Sequence, residues 1–124
     1  MLVFVYGTLR ENCRNHYWLE GAEKVGVETI KENFKMIDTK CGYPTLIVSK
    51  EKNPIVGEIY KIDDQILKKL DYFEGYPVNF NRKLIKTNYG DAIVYFRENF
   101  NYEFFLIESG DWIEYNKKLR NGSY

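Results

Sequence analysis

Leu2-Val3-Phe4-Val5-Tyr6-Gly7-Thr8-Leu9-Arg10 is the stretch on which the reading of this chain turns. A short apolar run ends at a tyrosine, and a glycine follows at once. β-Branched and aromatic residues in so short a run predict an extended, buried strand over residues 2–6. Gly7 reaches backbone angles that a Cβ disfavours, so a sharp turn is expected there, opening a polar loop over 7–13. The amide N–H groups of Gly7, Thr8 and Leu9 then lie past the end of the strand ladder. Where such groups converge they make a small anion-binding concavity. Two readings stand at this point: an ordinary glycine turn after a buried first strand, or an anion site made of backbone amides.

Outward from this stretch, residues 14–20 predict a short helix, with Gly21 as its C-terminal signal. His16, the only histidine, is expected to act as a structural hydrogen-bonding group. Residues 24–31 and 33–38 read as strands. Gly42-Tyr43-Pro44 reads as a turn, Thr45 to Val48 as a short β-rich run, and Glu51-Lys52-Asn53-Pro54 as a second turn. From Ile55 to Ile62 the alternation puts Val56, Glu58, Tyr60 and Ile62 on one face. Gly57 inside that strand signals a bulge or a close backbone approach.

The clearest helix follows. Asp63 is a good N-cap, and Ile66, Leu67, Leu70 and Phe73 fall at helical spacing on one face. Gly75 terminates the helix and Pro77 keeps it from resuming. Residues 82–87 and 91–97 predict a hairpin across Asn88-Tyr89-Gly90. Strands outnumber helices throughout, so the expected class is α+β, in one domain spanning 1–124.

Lys plus Arg and Asp plus Glu are equal at 18 each, for a net charge of zero. That argues against a general nucleic-acid binder, which needs a basic face to meet phosphates. No apolar segment approaches the ~20 residues that span a bilayer, so no membrane partner is expected. Cys13 and Cys41 have no metal-ligand spacing, and no metal site is expected. Both read as free thiols in a reducing compartment, and the apolar N-terminal run is too short for a signal peptide; a cytoplasmic protein is expected.

Glu74 ends the predicted helix, where a carboxylate meets the negative end of the helix dipole. Partial burial by Tyr72, Phe73 and Tyr76 would disfavour its charge further. Both effects raise its pKa toward the range of a general acid or base. A solvated, inert glutamate beside Gly75 is the other reading.

Val5-Tyr6-Gly7-Thr8-Leu9-Arg10 with Asn15-His16, Gly42-Tyr43-Pro44-Thr45-Leu46, Val56-Gly57-Glu58-Ile59-Tyr60 and Leu70-Asp71-Tyr72-Phe73-Glu74-Gly75-Tyr76-Pro77 occur in this order. The ordered set resembles the γ-glutamylcyclotransferase-like family, which includes the γ-glutamylamine cyclotransferases and AIG2-like proteins. Ser109-Gly110-Asp111-Trp112 resembles an ending found in some members. The resemblance implies a small mixed, barrel-like β-sheet flanked by a few short helices. It implies release of 5-oxoproline from a γ-glutamyl small molecule without a cofactor, with Glu74 as the catalytic proton shuttle. It makes Tyr6, Gly7, Thr8 and Leu9 the substrate-binding turn, and Tyr43-Pro44 and Leu70 to Glu74 look more like the γ-glutamylamine branch. Which substrate oxygen each turn N–H meets stays open.

Other residues are weighed beside these. Glu58 is a rival base, with a supporting role preferred because the family also shows Gly-Glu there. Asp71, three positions before Glu74, is a candidate to tune it. Arg82 is expected to form an ion pair and Arg10 to be a solvated side chain after the turn. Phe80 stands where many relatives resembling this chain carry tyrosine, so a hydroxyl is missing there; if relatives use it on substrate, this chain departs from them. The alternative to an enzyme is a non-catalytic module that binds a small carboxylate or amine in the same pocket.

Overall fold

The first strand is apolar on both faces because both of its faces are covered. Val3, Phe4 and Val5 are each at most 3% exposed. In this computed structural model, which describes residues 1–121, that strand is β1 (Leu2–Val5). After it come a 3-10 helix (His16–Leu19), β2 (Glu23–Asp38) and β3 (Pro44–Lys61). Then follow α1 (Asp64–Glu74), β4 (Asn81–Thr87), β5 (Gly90–Phe96), β6 (Phe105–Leu106) and α2 (Trp112–Asn121). The six strands form one mixed sheet in the order β4-β5-β1-β3-β2-β6. It curls into a half-barrel carrying the two α-helices.

Strand alternation splits the core into two parts. Phe4 and Tyr6 pack in one cluster with Phe34, Leu46 and Phe96, and Trp112 of α2 joins them. Val3 and Val5 pack in the other with Leu19, Ile66 and Leu70, which is where the 3-10 helix and α1 dock. Among the described residues no helix is long and apolar enough to cross a membrane.

α1 forms where its signals lie. The Asp63 carboxylate accepts from the Ile66 N–H at 2.9 Å. Gly75 ends the helix with φ of +68°, and the Tyr76 N–H closes onto the Asp71 carbonyl at 2.9 Å. The hairpin is β4 and β5, paired from Asn81↔Phe96 to Thr87↔Gly90.

Three local expectations are corrected. Residues 14–20 make only a short 3-10 helix, His16–Leu19. The two segments of residues 24–38 are one strand, and the turn expected at Glu51–Pro54 does not reverse the chain. β3 runs through it, with residues 49–52 bulging out opposite Asn33 alone, between the pairs Phe34↔Val48 and Glu32↔Asn53. Asn53 fills the gap by donating from its side chain to the Phe34 carbonyl at 2.8 Å. Pro54 is tolerated because Val56, two residues on, points its N–H away from β2 to the Gly110 carbonyl at 2.8 Å; the Pro54 nitrogen faces that same side. Finally, α2 was not among the predicted elements, although Trp112, Tyr115 and Leu119 stand at helical spacing. It is started by Asp111, whose carboxylate accepts from the N–H groups of Ile113 and Glu114.

Candidate active site

The site forms where two parallel strands part. β1 and β5 pair in parallel only at Leu2↔Ala92 and Val3↔Ile93. Beyond that they diverge, and the residue just past β5 bridges to β3 at Ile47↔Arg97, with the Arg97 N–H on the Leu46 carbonyl at 2.9 Å. The Tyr6 hydroxyl spans the gap to the Tyr95 carbonyl at 2.8 Å. A cavity of about 250 Å³ opens there, walled by the 6–9 turn, by Tyr43 and Pro44, and by Glu74, Phe80, Tyr95 and Arg97. A crevice at the carboxyl ends of diverging strands is a recurrent place for a ligand.

The turn is pinned from behind. The Arg10 N–H closes on the Gly7 carbonyl at 3.0 Å, and the Asn15 N–H reaches the Thr8 carbonyl at 3.1 Å. The Asn15 side-chain amide donates to Thr8 Oγ1 at 2.9 Å, and His16 Nδ1 meets the Leu9 carbonyl at 2.9 Å, the structural role expected of it. The N–H groups of Gly7, Thr8 and Leu9 donate to nothing among the described residues, and all three residues line the cavity. The sequence reading gave Gly7 the wrong reason. Its φ is not in the left-handed region; glycine suits the position because a Cβ would sit 3.0 Å from Pro44 Cγ, tighter than ordinary contact. Gly57 likewise marks a close approach, since a Cβ there would lie 2.5 Å from Phe4 Cζ.

Glu74 enters from the last turn of α1. The residue keeps some surface open to the cavity, yet protein atoms crowd its carboxyl. Burial pushes its pKa up to about 7, against a smaller opposite pull from the Arg97 guanidinium. Asp71 does not face it. Its carboxylate accepts from both Arg82 Nη1, at 2.7 Å, and the Tyr95 hydroxyl, at 2.7 Å, clamping α1 to β4 and β5. Arg82 is thus the expected ion-pair partner.

Glu58 is occupied elsewhere. It accepts from Arg10 Nε at 3.0 Å, from the Glu11 N–H at 2.8 Å and from the Tyr60 hydroxyl at 2.8 Å. Burial pushes its pKa up, but these donors together outweigh it and hold the carboxyl below its ordinary range. A carboxylate so satisfied is a poor base. Arg10 is not solvated, contrary to expectation: it is 8% exposed and also donates from Nη1 to Asp111 at 3.0 Å. A carboxylate buried in β3 needed a cationic partner, and the turn supplies it.

The residue that sequence reading missed is Arg97. It follows the last alternating position of β5, and nothing local announces that the bridge to β3 brings it to the cavity. Its guanidinium lies over the Phe80 ring at 4.5 Å from the centroid. Phe80, the position without a hydroxyl, therefore offers its face to a cation. The cavity thus gathers three free amide donors, a carboxyl that titrates near neutrality and a guanidinium.

Comparison with known proteins agrees with this architecture. Residues 3–114 match the family model described as gamma-glutamyl cyclotransferase, AIG2-like. The chain belongs to that family. It is 33% identical over 117 residues to the gamma-glutamylcyclotransferase family protein YtfP of Escherichia coli K12, covering 94% of this chain and 100% of that one. The solution structure of the Escherichia coli protein superposes with a TM-score of 0.73 over 94% of this chain and 99% of that one. The crystal structure of a mouse AIG2-like protein is 26% identical, with a TM-score of 0.76 over 90% and 86% of the two chains. A Pyrococcus horikoshii protein at 22% identity shares the fold, with a TM-score of 0.82 over 100% of this chain and 99% of that one.

Proposed function

We propose that this protein is a γ-glutamyl cyclotransferase that releases 5-oxoproline and an amine from a γ-glutamyl amide, with Glu74 as the proton shuttle. One observation carries the reading: a carboxyl pushed up to about 7 shares a small cavity with three unpartnered amide N–H groups. Family membership supports the reaction class.

The chemistry asks for little else. The substrate's α-nitrogen attacks its own γ-carbonyl carbon, a C–N bond closes the five-membered ring, and the bond to the departing nitrogen breaks. Two protons leave the α-nitrogen and two arrive on the departing one, and Glu74 carries them in turn. Holding the substrate bent exploits ring closure, where well-oriented intramolecular reactions reach effective molarities of about 10⁵–10⁸ M.

Protonation is the obstacle, and it explains why an ordinary carboxylate would not serve. The α-amino group has a reference pKa of about 7.7–8.0 and is mostly ammonium near neutral pH. A carboxylate at about 4.5 takes that proton uphill by more than three units, roughly 4–5 kcal/mol. A carboxylate at about 7 takes it at a cost of about 1–1.4 kcal/mol. The amide N–H groups oppose the negative charge that the γ-oxygen gains, or hold the substrate's carboxylate.

The test is release of 5-oxoproline from γ-glutamyl dipeptides, γ-glutamyl-ε-lysine and glutathione, with Glu74→Gln beside wild type. Loss of a positioned acid–base group is expected to lower kcat by about 10²–10⁴-fold. Undiminished release by the variant would remove Glu74 from the mechanism, and no release by wild type would defeat the reading.

A further inference from the structure

We infer that Arg97 grips the α-carboxylate of the glutamyl part, which leaves the amide N–H groups of the Gly7–Leu9 turn to the γ-carbonyl oxygen. The inference rests on the cyclotransferase reading and assigns the oxygens that reading left open.

Arg97 is built to hold something. Its Nε is buried without a hydrogen-bond partner, and its side chain makes no ion pair or hydrogen bond among the described residues. A buried donor left unpaired is costly and rare, so the wall around it is complementary to an acceptor from outside the chain. The guanidinium carbon lies over the Phe80 ring at 4.5 Å, with Phe100 farther off at 5.9 Å. That cation–π contact supplies no oxygen acceptor to its N–H groups. The backbone beneath is tied to Leu46. Arg14, the other guanidinium on the cavity wall, belongs to an exposed residue and gains less by pairing.

The position of Arg97 selects which anion it meets. It lines the same cavity as Glu74, and its charge is near enough to pull on that carboxyl. In the substrate, the ammonium that Glu74 must deprotonate shares one carbon with the α-carboxylate. A site for that carboxylate must therefore adjoin the base, and Arg97 does. Glu74 and Arg97 complement the two charges of an α-amino acid. The kinds of donor also sort themselves: a forked guanidinium suits a permanent carboxylate, accepted in bidentate fashion. Neutral amides locked in a turn suit an oxygen whose charge appears only in the transition state.

Three substrates and two variants test this. γ-Glutamyl-glycine and γ-glutamyl-methylamide both carry the α-carboxylate; γ-aminobutyryl-glycine lacks it and cyclises to 2-pyrrolidinone. Wild type is expected to prefer γ-glutamyl-glycine over γ-aminobutyryl-glycine by about 10- to 100-fold in kcat/KM, the worth of a charged hydrogen bond. Arg97→Gln should lose that factor with both glutamyl substrates, mainly in KM, with the loss confined to substrates bearing the α-carboxylate. Arg97→Lys should recover part of it. Calorimetric affinity for 5-oxoproline should fall in parallel in Arg97→Gln. Loss with γ-glutamyl-glycine but not the methylamide would overturn the assignment in favour of the leaving group's carboxylate. Equal loss with all three substrates would reduce Arg97 to a structural role. Should neither variant fold, equal wild-type kcat/KM for γ-glutamyl-glycine and γ-aminobutyryl-glycine overturns the inference by itself. A wild type that turns over nothing defeats the cyclotransferase reading. In that event 5-oxoproline binding that weakens in Arg97→Gln still upholds the carboxylate site, and unchanged or absent binding overturns it.

Discussion

Glu74 is held against its own charge. Its carboxyl is crowded by protein, has no hydrogen-bond donor among the described residues and sits at the C-terminal end of a helix. Unfolded, it titrates near 4.5; folded, near 7. The folded state thus binds the extra proton, so the stability linked to this group is intact below about pH 4.5 and is lost as pH rises through 7. The loss amounts to about 3 kcal/mol by pH 8. Glu74→Gln removes the charge and keeps the shape. It is therefore expected to match wild type in urea unfolding at pH 4.5 and to exceed it by about 3 kcal/mol at pH 8. An equal difference at both pH values would show that the carboxyl is not strained. The same titration governs turnover. The rising limb of log(kcat/KM) against pH for γ-glutamyl-glycine should bend near 7, where Glu74 becomes the base. A bend near 4.5 would mean that an ordinary carboxylate does the work.

At the scale of the element, α1 delivers Glu74 by its ending. Gly75 stands at φ of +68°, and a Cβ there would come within 2.5 Å of Asn79 Nδ2. Asn79 is exposed and its side chain has room to swing away, so the backbone conformation dominates the cost. Gly75→Ala is expected to destabilise by about 1–2 kcal/mol and to lower kcat, because the turn that aims Glu74 relaxes. Thermal unfolding and single-turnover rates check it; a variant with wild-type kcat and lowered stability would separate the cap from the chemistry. This helix was fully legible in the sequence. Asp63, the apolar spacing and Gly75 are local signals, and the structure keeps each of them. The β2–β3 pair was legible only in pieces. Asn53 and Pro54 have turn chemistry, but they serve a bulge whose existence depends on a partner strand and on Gly110, distant in sequence. Arg97 was illegible for the same reason. Its pairing with Leu46 and its seat on Phe80 are long-range facts with no local periodicity.

Across the whole molecule, one ionic cluster joins the turn that carries the candidate site to the rest of the chain. Arg10 follows the turn, Glu58 lies in β3, and Asp111 opens α2; Arg10 donates to both carboxylates at 3.0 Å. Glu58 is 4% exposed, so removing Arg10 leaves a carboxylate stranded away from water. Arg10→Met is expected to destabilise by about 3–5 kcal/mol, the cost of breaking a buried pair from one side. Arg10→Met combined with Glu58→Leu should cost less than Arg10→Met alone, because the buried carboxylate is no longer stranded, while Asp111 loses Arg10 in both variants. If the double variant is instead the less stable of the two, the cluster contributes more than it costs in desolvation. The pH dependence has the opposite sign to that of Glu74. Glu58 is held below its ordinary range in the folded state, so its contribution is present above the unfolded pKa and is lost as pH falls through the folded one. Glu74→Gln should therefore flatten the alkaline side of the stability curve, and the double variant the acidic side. The two carboxylates thus pull the fold in opposite directions along the pH axis. The strained one lines the cavity, while the satisfied one braces the turn beside it. Urea midpoints for the three proteins between pH 3 and pH 8 decide the matter. If both variants flatten the same side, this division of labour is wrong.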